Sequence, residues 1–434
     1  MKRTRNFYIG GLAALLMAGA SQLALERTAA AQGGQQAPKF EVDRLWPKPL
    51  GNHWIPGSFN GVTVDSTDHI WVSHRGVDSL QANEKGPTLT PWASECCFSA
   101  PQVMEFDAAG TLLNHWGGPG AGYDWPQNPS GIAVDGKGNV WIAAAGVTPP
   151  AGRGGRGAAA PPAAGAAGGA AGRAGRGAPA AGGAAPAARG GAPAGPPPPG
   201  DAQVLKFSKT GQFVMQIGKA GQMGTPDSTT SLNRPAAVAI DDAANEVYVA
   251  DTGDRRIAVF DANTGAFKRA WGAYGEKPGD APAGAYDPAA PPARQFRDPT
   301  CVKIAKDGMV YVCDRGNDRI QVFDKTGKFV KEMQVRKETT GEGSVWDVAF
   351  SADPQQRFLY VADGQNKTVW ILNRDSLMTV ANFGEGGRYP GMFYGLARVA
   401  VDSKGNVYTG ETYEGKRVQK FNYKGLGPAQ MMMH

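Results

Sequence analysis

Ala237-Val-Ala-Ile-Asp241, Val247-Tyr-Val-Ala-Asp251, Arg256-Ile-Ala-Val-Phe-Asp261 and Phe267-Lys-Arg-Ala-Trp-Gly272 follow one another along the chain. Each is a short apolar run with period-2 alternation, bounded by Asp, Gly or Thr. That pattern predicts four strands joined as antiparallel hairpins.

The plan recurs. Gly131-Ile-Ala-Val-Asp135 runs through Lys137, Gly138 and Asn139 into Val140-Trp-Ile. Val302-Lys-Ile precedes Val310-Tyr-Val-Cys-Asp314, and Val399-Ala-Val-Asp402 precedes Val407-Tyr408. Gly61-Val-Thr-Val-Asp65 starts the set, and Val348-Ala-Phe with Leu359-Tyr-Val-Ala-Asp363 is the fifth copy by position. Third strands recur at Val103, Arg256 and Arg319, and outer strands at Leu112, Phe213 and Phe267. Four strands per copy, at roughly 40–50 residues, is the size of a propeller blade. The sequence therefore predicts an all-β, six-bladed β-propeller of four-stranded antiparallel blades. The last copy runs out near Leu426, while Phe40-Glu-Val-Asp-Arg-Leu-Trp46 has no copy of its own. The N-terminal strand is expected to close the last blade and remove an exposed sheet edge. Asp135, Asp241 and Asp402 each begin a hairpin turn and read as turn formers, not calcium ligands.

Charge narrows the class of partner. The formal net charge is +6, of which residues 1–32 hold +3 and residues 149–200 hold +5, leaving the rest at −2. A near-neutral folded part argues against nucleic acid as partner. Residues 1–31 have the form of a signal peptide: Lys2, Arg3 and Arg5, an apolar stretch from Phe7 to about Leu25, then Ala29-Ala30-Ala31. The expectation is an exported protein, periplasmic or extracellular, with no transmembrane span after cleavage. Residues 149–200 are almost entirely Ala, Gly, Pro and Arg. Such a segment buries too little to offset its ordering entropy. It reads as a disordered insert in blade two, between strands two and three, dividing a single propeller over 32–148 and 201–430.

Four cysteines suit an oxidising compartment. If Ala305 opposes Met309 across the Lys306-Asp307-Gly308 turn, Cys301 lies opposite Cys313, close enough for a disulfide. For Cys96-Cys97 three readings stand: a bond to each other, a bond to another chain, or thiols.

These phrases resemble the NHL repeat: G-I-A-V-D, G-N-V-Y-V-A-D, R-I-x-V-F-D and a closing W-G or I-G. Val72-Ser-His74-Arg75-Gly76 and the blade order are similar to the amidating-lyase family of NHL propellers. The resemblance implies an axial zinc held by three His just before inner strands, an Arg at Arg75 and a Tyr on an upper loop. Here the residues before the inner strands are Asn60, Ser130, Ala236, Thr300, Trp346 and Ala397, and Ser130, Thr300 and Ala397 stand at the three ligand places. None is His, so no metal and no cofactor is expected, and the lyase activity is not expected. His53 and His74 are better read as hydrogen-bonded loop residues.

At the predicted upper centre the sequence places Arg75, Arg255, Arg315 and Arg398 with Asn60, Trp346 and Tyr394. Arginine forks beside an aromatic suit a carboxylate, phosphate or sugar acid. The expected ligand-binding residues are Arg75, Arg315, Arg255, Asn60 and Trp346. The function expected is a binding module for a small anionic ligand or a protein partner. The alternative is a lyase or hydrolase with a rebuilt, possibly metal-dependent site, for which no catalytic residue can be named. A third reading is a surface tether acting through the insert.

Overall fold

A computed structural model describes residues 35–146, 200–279 and 284–431. The signal-like residues 1–31 and residues 149–199 of the insert lie outside them. Local chemistry sets the hairpins. Asp135 Oδ1 accepts from the backbone N–H of Lys137 (3.0 Å) and Asn139 (2.9 Å), and its Oδ2 accepts from the Trp141 indole N–H (3.1 Å). Asp402 does the same with Lys404, Asn406 and the Tyr408 hydroxyl. One carboxylate thus closes the turn and clamps the following strand.

The hairpins assemble into six four-stranded antiparallel sheets, with no α-helix among the described residues. Blade three runs outward through Pro235–Asp241, Glu246–Asp251, Arg256–Asp261 and Phe267–Trp271. The six inner strands are Phe59–Val64, Pro129–Val134, Pro235–Asp241, Pro299–Ile304, Asp347–Phe350 and Leu396–Val401. Each packs on the next, and the last packs on the first. Closure takes the expected form: Gln36–Asp43 is the outer strand of the last blade, with Phe40 opposite Tyr423 and Asp43 opposite Lys420.

The core lies between blades. Tyr248, Ile257 and Trp271 of blade three pack against Val302, Val312 and Phe323 of blade four. Gly131 lets two inner strands meet there, because a Cβ at that position would stand 2.6 Å from Ala237 Cα. Cys301 faces Cys313 across its hairpin, as the turn register requires, and the two are disulfide-bonded with Cα atoms 4.9 Å apart. Cys96 and Cys97 are bonded to each other, which decides among the three readings.

Candidate functional site

In five blades the ladder slips at the start of the inner strand, between Phe59 and Gly61, Pro129 and Ile132, Pro235 and Ala237, Pro299 and Cys301, and Leu396 and Arg398. A bulge re-aims the extra residue. Here it turns Asn60, Ser130, Ala236, Thr300 and Ala397 to the axis, and Trp346 joins them from blade five. Together they line a pocket of about 240 Å³.

Two more tiers complete the wall. The residue just past the second strand contributes Arg75, Ala145, Thr252, Arg315 and Thr412. The residue two before the bulge contributes Asn128, Arg234 and Asp298. A buried acceptor pins each of these entry segments. Asp251 accepts from Asn233 N–H (2.7 Å), Asp314 from Arg297 N–H (2.8 Å), and Glu411 from Tyr394 N–H (2.7 Å). In blade two the second strand ends in Ala144, and Asp201 supplies the acceptor, taking Gln127, Asn128 and Gly146 N–H. In blade one the acceptor is His74 Nδ1, which takes Gly57 N–H (3.0 Å) and Gly76 N–H (2.9 Å) while Nε2–H donates to Pro101 O (2.9 Å). Burial holds this imidazole neutral, at a pKa of about 4. His74 is therefore a bracket that fixes the backbone on either side of Arg75.

Arg398 forms the pocket floor. Its Nη1 donates to Thr300 O (3.1 Å), its Nη2 to Ser130 Oγ and Ala236 O (both 3.2 Å), and its Nε to Asn60 O (2.5 Å). One guanidinium thus ties blade six to blades one, two, three and four. Burial lowers its pKa, Asp347 opposes that shift, and Arg315 adds to it.

The zinc that the amidating-lyase resemblance implies does not fit these residues. Ser130, Thr300 and Ala397 offer no imidazole, and the Arg398 guanidinium bonds to the first two. A catalytic zinc needs three imidazole, carboxylate or thiolate ligands, none of which these positions offer, and a fixed cation among the ligand places would repel a second.

On the opposite wall, Arg315 pairs with Asp298 and lies 4.5 Å over the Trp346 ring. The Tyr413 hydroxyl donates to both Glu342 oxygens (2.7 and 2.6 Å). Burial and that carboxylate raise the Tyr413 pKa, so it serves as a hydrogen-bond donor at neutral pH. Arg75 and Arg234 differ from Arg315. Neither side chain has a hydrogen-bond or ion-pair partner among the described residues, and Arg75 Nε is buried without one.

Of the residues singled out in the sequence, Asn60, Arg75, Arg315, Trp346 and Arg398 meet in the pocket. Arg255 does not line it, because it lies beyond the strand-end tier in its own loop. Tyr394 does not line it either and stacks under Arg388 at 4.0 Å. Arg234 and Tyr413 line it in addition. The signal for Arg234 was its place ahead of Pro235-Ala236, matching Asp298 ahead of Pro299-Thr300.

Six four-stranded blades around a polar axial pocket define a β-propeller, a fold used as a binding or scaffold module. The family model described as "NHL repeat" matches residues 232–260 and 296–323, which lie in blades three and four of this six-bladed propeller. It is similar to NHL repeat-containing protein 3 of Homo sapiens, 30% identical over 189 residues, covering 41% of this chain and 44% of that protein. It is 29% identical over 179 residues to the Mus musculus protein of the same name, covering 40% of this chain and 43% of that one. The matches thus span less than half the length of these relatives. Among solved structures, a catalytically inactive virginiamycin B lyase from Staphylococcus aureus with quinupristin gives a TM-score of 0.44 at 9% identity, covering 90% of this chain and 88% of that one. A Bacteroides thetaiotaomicron protein of unknown function gives 0.48 at 13% identity, covering 90% and 77%.

Proposed function

We propose that this propeller is a binding module that takes a small anionic ligand in its axial pocket. One observation carries the reading: among the described residues, four arginines, Arg75, Arg234, Arg315 and Arg398, line the pocket against a single carboxylate, Asp298. A concave wall with one sign of charge concentrates anions. Planar guanidinium forks are the side chains best shaped to hold carboxylate or phosphate. The volume is below the roughly 300–1,000 Å³ of pockets that take drug-sized ligands, which favours a small molecule.

The reading includes export. The signal-like residues 1–31 and the bonded cysteine pairs support a periplasmic or extracellular site of action. The mature N-terminus of protein recovered outside the cytoplasm checks that part.

The binding test is thermal unfolding of the full chain at low ionic strength with inorganic phosphate. Wild type is expected to gain melting temperature with phosphate and to lose the gain in high chloride. Arg75→Glu is expected to show no gain. No shift in wild type, or an equal shift in Arg75→Glu, overturns the reading.

A further inference from the structure

We infer that the ligand is a short dianion, with one acidic group on Arg75 and the other on Arg234. The inference rests on the anion-binding reading and gives it a ligand class.

The upper-face arginines divide cleanly by partner. Arg256 holds Asp251 (2.8 Å), Arg319 holds Asp314 (2.7 Å), Arg315 holds Asp298, and Arg417 holds Glu411. Arg398 spends four of its five N–H donors on backbone carbonyls and Ser130. Arg75 and Arg234 have no such partner among the described residues, although both are half-buried. A guanidinium partly removed from water with no counter-ion is costly. A bound anion removes that cost.

Two such groups could share one anion or hold two. Their placement favours two. Arg75 belongs to blade one and Arg234 to the entry of blade three, so blade two stands between them. Blade two presents Asn128, Ser130 and Ala145 to the pocket, all uncharged. Both backbones are fixed. Arg75 N–H donates to Ser58 O (3.0 Å) and its carbonyl accepts from Gln102 Nε2 (3.0 Å). Arg234 N–H donates to Asp201 O (3.2 Å) at a positive φ of 54°. Each fork takes one carboxylate or phosphate edge in two parallel hydrogen bonds, and a monocarboxylate has only one such edge for the two forks. Among the described residues the pocket's single carboxylate, Asp298, is committed to Arg315.

Size limits the spacer. The pocket's volume is about 240 Å³, below the roughly 300–1,000 Å³ of pockets that take drug-sized ligands. That size favours a short diacid or an acid carrying a phosphate.

The test is calorimetric titration of the full chain with succinate, glutarate and adipate, each against the monocarboxylate of equal chain length. One diacid is expected to bind at least about tenfold tighter than its monoacid, a difference of about 1.4 kcal/mol. Arg75→Gln and Arg234→Gln are each expected to bring the diacid down to monoacid affinity, with urea midpoints unchanged. Equal affinities for diacid and monoacid, or sensitivity to only one of the two variants, overturn the dianion and leave the anion reading standing. No binding by any acid, with no phosphate effect on melting, overturns both.

Discussion

The upper corners of the blades and the pocket they surround both depend on arginine, to opposite ends. At the corners Arg256, Arg319 and Arg417 close on the acid that ends the second strand, and that acid in turn holds the backbone entering the inner strand. In the pocket Arg75 and Arg234 close on no partner among the described residues. Position in the repeat makes the difference. A corner arginine comes five or six residues after its acid, at the head of the third strand. Arg75 comes one residue after the strand end and points to the axis. The same side chain is a structural clamp at one register and an open fork at another.

The largest break of this contrast is expected at a corner. Arg319 is fully buried and donates to Asp314 (2.7 Å), Tyr274 Oη (2.9 Å) and Gln295 O (3.1 Å). Arg319→Ala leaves the Asp314 carboxylate buried without its cation, which costs about 3–5 kcal/mol. The urea midpoint of the variant measures it. A loss below about 1 kcal/mol would mean that Asp314 is satisfied by the Arg297 and Asn317 N–H groups alone.

Most of the scaffold was legible in the sequence because each blade repeats the same local instructions. A turn acid, a period-2 run and a strand-end acid recur, so the register of one blade reads the others. That register also named all six residues nearest the axis, from Asn60 to Ala397. It did not name Tyr413, which lies in a loop past the strand end, nor Arg234, whose repeat position carries a different side chain in each blade: Asn128, Arg234 and Asp298. Arg234 stands on a positive-φ residue ahead of the bulge, and Tyr413 on a positive-φ residue past the strand-end tier. Arg255 misled for the converse reason: it is close in sequence to the strand end yet past the residue that turns inward. Arg398 could be placed near the axis but not understood, since its four hydrogen-bond acceptors come from blades distant in sequence.

Blade one sharpens the comparison through pH. His74 takes the corner place that Asp251, Asp314 and Glu411 hold elsewhere, and it accepts as a neutral imidazole. Its folded pKa of about 4 lies below the ordinary 6.5. A group depressed in this way contributes stability above pH 6.5 and loses it as pH falls toward 4. The full loss for so deeply buried a group is about 3 kcal/mol. Wild type and His74→Asn are expected to converge in urea stability between pH 6.5 and 4, with wild type the more stable at pH 7. Parallel curves would mean that the imidazole titrates as freely as one in the unfolded chain.

The smallest expected effect is the most discriminating. If Arg75 and Arg234 are open forks, removing them breaks no contact within the fold. Arg75→Gln and Arg234→Gln are each expected to change unfolding free energy by less than about 0.5 kcal/mol, as surface substitutions do. Relief of repulsion among four pocket cations leaves room for a slight gain, larger at low ionic strength because salt screens it. Chemical denaturation at two salt concentrations reads both the size and the sign. A loss above about 1 kcal/mol in either variant would place that arginine with Arg319 among the clamps, and the division between corner and pocket would fail at that residue.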